Sequence, residues 1–144
     1  MLRWVNSIFR WCRLAETEVT HRLTVRSDGL DAFVTRWGVE RPAFQVYWAD
    51  VVEVVAWKDD LLIWDLINIG FRNRDSSEIL AVNDETKGFR ELHTELERAF
   101  GIREDDWFSA VAFPAFSTNW TTLWGDPSDP DRVRLIRVHQ YAEE

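Results

Sequence analysis

The chain has 144 residues, a formal net charge of −8 and a single cysteine, Cys12, which suits one domain and excludes an internal disulfide framework. Its acids outnumber its bases most heavily in the middle: residues 1–41 carry +2, residues 42–106 carry −8 and residues 107–144 carry −2. That balance argues against nucleic-acid binding, which needs concentrated Lys and Arg; it is compatible with a basic partner and equally with a charge that serves solubility alone. Hydrophobic residues make up 46%, with nine Trp and nine Phe, so a packed core is expected.

Residues 2–14 fit a helical period. Leu2, Val5, Ile8, Phe9, Cys12, Trp4 and Trp11 fall on one broad face, and Arg3, Asn6, Arg10 and Arg13 on the other. Such a helix docks on the domain's own core or lies on an anionic membrane through Trp4 and Trp11. Arg10 and Arg13 interrupt any signal-peptide core, and no apolar run approaches the ~20 residues of a membrane-spanning helix. An unprocessed, cytoplasmic protein is the expectation.

From residue 19 the period becomes two. Val19, His21, Leu23 and Val25 alternate with polar residues, Ser27-Asp28-Gly29 marks a tight turn, and Leu30 to Trp37 runs back. Gly38 and Pro42 bracket the next connection. Phe44 to Trp48 and Val51 to Trp57 read as strands, and Lys58-Asp59-Asp60 as a polar break. Leu61 to Trp64, Leu66 to Phe71 and Glu78 to Val82 read as further strands.

The clearest helix follows. Asp84 or Thr86 is its expected cap, Phe89, Leu92, Leu96 and Phe100 form its apolar stripe, and Gly101 ends it. Asp105 is expected to cap a short second helix carrying Trp107, Phe108 and Val111, ended by Pro114. Asn119 to Trp124 reads as one more strand. Residues 125–144 read as a linker and a tail in which strand and helix are not distinguished.

No motif with the spacing of a known catalytic or phosphate-binding loop is present, and no Cys/His cluster has zinc spacing. Asp59, Asp60 and Asp65 come closest to an acid/base pair or a divalent-ion site, but Asp59 and Asp60 also suit an ordinary turn, and Asp65 suits the start of a strand after a turn near Trp64. His93 and Glu97, four apart on the long helix, supply two ligands without a third.

Between Gln45 and Phe100, Val46-Tyr47-Trp48-Ala49-Asp50-Val51-Val52 forms a strand, a Trp-x-Asp-Val turn and a second strand. Two more strands and an amphipathic helix led by Gly88-Phe89 follow, and Asn119 to Trp124 makes an Asn-x-Thr-x-Leu-Trp-like strand. This layout resembles the pleckstrin-homology (PH)-like arrangement of bacterial PH and GRAM-type domains, and small bacterial proteins sharing the same step. The resemblance covers about half to two-thirds of the chain and implies a PH-like curl of the sheet. Length and periodicity by themselves give a single α+β domain over residues 1–144, with an antiparallel sheet of about six or seven strands, an N-terminal helix and C-terminal helices. Many PH-like domains bind phosphoinositides through basic residues in the first hairpin loop. Here that loop, Ser27-Asp28-Gly29-Leu30-Asp31, is acidic, which argues against headgroup binding at that loop.

The expected function is a non-catalytic protein-binding domain, in its most concrete form a bacterial immunity-type protein that covers a basic toxin with an acidic surface. The candidate surface is Asp59, Asp60, Glu91, Glu95 and Glu97. The alternative is a membrane-surface adaptor using Trp4 and Trp11. No cofactor and no metal is expected, and an enzyme built on Asp60 and Asp65 lacks an accompanying electrophile or cofactor signal.

Overall fold

The alternating stretch that begins at residue 19 builds an antiparallel meander in the computed structural model, which describes residues 19–60, 65–114 and 117–138. β1 (Thr20–Arg26), β2 (Gly29–Arg36) and β3 (Val39–Tyr47) pair in that order. Leu23, Leu30, Ala32, Val34 and Val46 point inward and are buried, as a period of two requires when one face is covered. The expected 19–37 hairpin is thus present. The helix expected over residues 2–14 lies outside the described residues.

β3 differs from expectation. Gly38 and Pro42 do not bound a connection: Trp37 and Gly38 alone make the turn, Arg36 pairs with Val39, and the strand runs through Pro42. Pro42 is tolerated because β3 is an edge of its sheet, where a missing N–H breaks no ladder. Trp37 (φ 56°) and Gly38 (φ 71°) are both left-handed, the signature of a type I′ turn. Gly takes that conformation freely, whereas a side chain there costs about 1 kcal/mol. Trp37 recovers none of this by burial, being 60% exposed. Trp37→Asn, which restores the Asn-Gly pair this turn prefers, is therefore expected to raise unfolding stability by roughly 1 kcal/mol in urea.

A 3₁₀ turn at Trp48–Asp50 leads into the second sheet, of order β7-β4-β5-β6-β8. Its strands are β4 (Val51–Asp60), β5 (Asp65–Asn73), β6 (Glu78–Asn83), β7 (Thr121–Gly125) and β8 (Arg134–Arg137). All its neighbours are antiparallel except β6 and β8. The described residues therefore hold eight strands in two sheets, in place of one curled sheet of six or seven. β4 also continues through Lys58, Asp59 and Asp60, the expected polar break, because Asp59 and Asp60 stay in register with Leu66 and Asp65.

The second sheet is buried on both faces, which is why β4 reads as almost continuous apolar sequence. On the inner face, Val54, Ala56, Ile67, Ile69, Phe71 and Val82 join the core formed with the first sheet. α1 (Phe89–Phe100) adds Leu92 and Leu96 to that core, and α2 (Glu104–Ala112) adds Trp107 and Val111. On the outer face, Val55, Trp57, Ile79 and Ala81 pack with Trp120, Val133 and Leu135. Gly70 makes room here: a Cβ on it would overlap the Trp57 ring and Ile79. Trp120 then stacks on Trp57 at 5.0 Å between centroids.

The C-terminal segment forms this outer cover. β7 and β8 occupy opposite edges of the sheet, about 19 Å apart at the usual strand spacing. Residues 126–133 cross the face between them as a strap that bends at Asp126 and turns over residues 130–132, where the Arg132 N–H donates to the Asp129 carbonyl. The region read as linker and tail therefore carries an edge strand, paired parallel to β6.

Helix ends follow the expected logic in part. Gly101 (φ 69°) closes α1, its N–H bonded to the Glu97 carbonyl. At the other end neither Asp84 nor Thr86 caps by its side chain: Gly88 (φ 95°) stands at the cap. A Cβ there would press on the Leu23 backbone of β1, and the Thr86 hydroxyl is drawn instead to His21 Nδ1 at 2.7 Å. α2 likewise starts at Glu104 with no side-chain cap from Asp105, leaving Glu104, Asp105 and Asp106 in its first turn, where the helix dipole favours acids.

Candidate functional site

Asp59, near the end of β4, is held by Arg137 of β8 at 2.8 Å and by Asn68 at 3.0 Å. Asp60 is exposed and lies opposite Asp65 across the β4–β5 pair. Asp65 opens β5, and its partner is the buried ammonium of Lys58 at 3.4 Å. On α1, Glu95 pairs with Arg98 at 2.7 Å, and Glu97 lies 3.9 Å from Arg103. Glu91 is exposed and makes no such pair among the described residues. The five acids thus divide between the end of β4 and α1, and Asp59, Glu95 and Glu97 face internal cations. Trp4 and Trp11 lie outside the described residues.

Glu91 borders a cleft of about 530 Å³ where the β6–α1 turn, α1 and α2 meet. Three elements contribute carboxylates to its lining: Asp84 from the turn, Glu91 from α1 and Glu104 from α2. Phe89 and Phe108 provide apolar wall, and Arg90 is its full cation. Phe108 is 39% exposed although its helix neighbour Trp107 is buried, so the cleft offers an aromatic face to solvent.

His93 also lines the cleft. Its ring meets Phe89 edge-on at 5.0 Å and stacks on Trp107 at 5.9 Å, and its Nε2 lies 4.0 Å from a Glu104 oxygen. Burial holds its imidazole below the usual histidine value, against the pull of Glu104, so it is neutral at pH 7. Burial also raises the Asp84 carboxyl, with backbone hydrogen bonding at Ile67 and Asp84 opposing the rise. The lining's hydroxyl, on Thr86, is engaged with His21, and among the described residues no cluster of three His, Cys, Asp or Glu has a metal-binding arrangement. Chemically, the cleft combines carboxylates from three elements with a neutral imidazole and aromatic surface, the elements of charge pairing and cation–π contact with a cation.

Periodicity singles out Glu91 as outward-facing and pairs His93 with Glu97, whereas the structure sets His93 beside Glu104; Asp84 is expected only as a cap, and Glu104 carries no expectation. Sequence reasoning also missed two buried charges. Glu53 on β4 is fully buried on the strap side, where its carboxylate accepts from Arg72, Thr122 and both the hydroxyl and N–H of Ser128. Lys58, 1% exposed, donates to the carbonyls of Ala112 and Pro114 on the core side. A charge set among β-branched residues, as in Val51-Val52-Glu53-Val54-Val55, was the available signal. Among the described residues no helix is long and apolar enough to cross a membrane. Compared with protein-family models, curated proteins and solved structures, the chain matches none.

Proposed function

We propose that this domain is a non-catalytic protein-binding module that takes a basic segment of its partner into the cleft between the β6–α1 turn, α1 and α2. The observation that carries the reading is the convergence of Asp84, Glu91 and Glu104 on one aromatic-walled cleft in a protein of net charge −8. Electrostatic complementarity of this kind speeds encounter and selects basic partners. A bacterial immunity-type role, in which the partner is a basic toxin, is the most specific form of the reading. Of the acids first considered, Glu91 has the central place, because Asp59, Glu95 and Glu97 already face internal cations.

The test is comparative capture from the native proteome with the wild-type domain and the double variant Glu91→Gln/Glu104→Gln. Both substitutions lie on exposed helix surface, so the fold should persist. The expected result is a basic protein whose capture weakens with salt and whose affinity falls about tenfold or more in the double variant. A partner retained equally by both proteins, or one that is not basic, would overturn the reading.

A further inference from the structure

Among the described residues that line the acidic cleft, His93 is the one histidine, and so the side chain that can gain a positive charge as pH falls. Its ring is wedged between two elements. Phe89, one turn earlier on α1, meets it edge-on at 5.0 Å, and Trp107 of α2 stacks on it at 5.9 Å. Both aromatic residues are buried, so the imidazole is held by packing. In that position its Nε2 lies 4.0 Å from a Glu104 oxygen. That is too far for a hydrogen bond, but near enough for an ion pair once the ring is charged.

The charges that face the ring come from three elements. Asp84 belongs to the β6–α1 turn, Arg90 and Glu91 to α1, and Glu104 to α2. Glu85 and Lys87 of the same turn line a different cleft. Glu97, one turn further along α1, lies towards Arg103, and Asp105 and Asp106 continue the first turn of α2 outside the lining. Three acids against Arg90 leave the lining at −2 while His93 is neutral and at −1 once it is protonated.

We propose that His93 is the acid-release element of this cleft: its protonation sets a cation beside the seat of the partner's basic segment and draws Glu104 to itself, so that the segment is let go as pH falls. The inference rests on the reading of the cleft as the seat of a basic segment. Its sign follows from linkage, because a bound cation opposes the proton by the same factor by which the proton opposes the cation. Burial disfavours the charged ring more than Glu104 favours it, so release belongs to acid and not to neutral pH. Asp84 acts in the same direction, since burial raises its carboxyl and discharges it earlier than an ordinary aspartate.

Binding of a hexalysine peptide to the full chain at fixed ionic strength, together with NMR titration of the His93 ring, tests the proposal. The expected result is binding at about pH 7.5 that falls about tenfold in Glu91→Gln/Glu104→Gln. In the wild type it should weaken about threefold or more by about pH 5, and His93→Gln should keep only the smaller dependence due to Asp84. Saturating peptide should lower the titration midpoint of the wild-type His93 ring by about one pH unit, a readout that needs no variant to fold. An unmoved midpoint would overturn the proposal. So would equal affinity at both pH values, or an equal loss in acid by His93→Gln, while Glu91→Gln/Glu104→Gln still weakens binding; the cleft reading would survive each of these. Absence of wild-type binding at about pH 7.5 would strike the cleft reading itself, and this inference with it.

Discussion

Lys58→Ala is expected to lower the unfolding free energy by about 3–5 kcal/mol, the scale for removing one member of a buried charged network. Lys58 follows Val54 and Ala56 on the inner face of β4, so its stem is core material. Its ammonium ends at the C-terminus of α2, 2.9 Å from the Ala112 carbonyl and 2.6 Å from the Pro114 carbonyl, with Asp65 at 3.4 Å. Asn119 donates to the carbonyls of Val111 and Phe113 beside it, so the two side chains together satisfy the helix end that lacks onward partners. Alanine would leave a cavity, two carbonyls deprived of a donor and a carboxylate deprived of its counter-charge. Lys58→Met separates these effects, since it keeps the stem and removes only the donor. Methionine is expected to restore part of the loss, leaving about 2 kcal/mol from the polar groups. Equal stability of wild type and methionine variant in urea titration would show that the ammonium contributes nothing.

The same residue shows why part of the fold was hidden in the sequence. Alternation from Val19 to Trp37 and the stripe Phe89, Leu92, Leu96 were legible because each is decided by which face a local segment buries. Lys58-Asp59-Asp60 looked like a turn because its partners lie far along the chain: Lys58 meets Ala112 and Pro114, and Asp59 meets Arg137. Polar residues continue a strand when distant groups satisfy them, and local propensity carries no record of that. β8 was unreadable for the same reason, since its four residues gain their ladder only by pairing with β6 after the strap has crossed the sheet.

The candidate site follows this division. Glu91 could be placed on the outward side of α1 from periodicity alone. The cleft could not, because Asp84 and Glu104 reach it from separate elements whose packing is set by Phe89, Trp107 and Val111 in the common core. Trp37 reads in the sequence as the last residue of a strand ahead of a connection from Gly38 to Pro42, whereas it forms the turn itself with Gly38. The turn's tightness depends on a tryptophan accepting the left-handed conformation, a choice that runs against turn chemistry.

Glu53→Gln is expected to lower stability by about 2–3 kcal/mol and to flatten its dependence on acid pH. The carboxylate is surrounded by donors. One oxygen accepts from Arg72 Nε at 3.1 Å and the Ser128 hydroxyl at 2.6 Å; the other accepts from Thr122 at 3.1 Å and the Ser128 N–H at 3.0 Å. An amide cannot reproduce this. Whichever way it is turned, its NH₂ faces either the Arg72 Nε–H or the Ser128 N–H, neither of which can accept. Burial alone would raise the Glu53 carboxyl, but the bonds from Ser128, Arg72 and Thr122 outweigh it and hold the group below its ordinary value. Because the folded value lies below the unfolded one of about 4.3, the unfolded chain binds the proton first as pH falls. The contribution of Glu53 is thus complete above that unfolded value and is lost as pH drops through the folded one. Wild type and variant should differ most at neutral pH and converge in acid. Since Ser128 sits in the strap, amide exchange over residues 126–138 should quicken in the variant while α1 keeps its protection. Parallel stability curves from neutral pH into acid would show that the carboxylate charge at Glu53 does not hold the strap to the sheet.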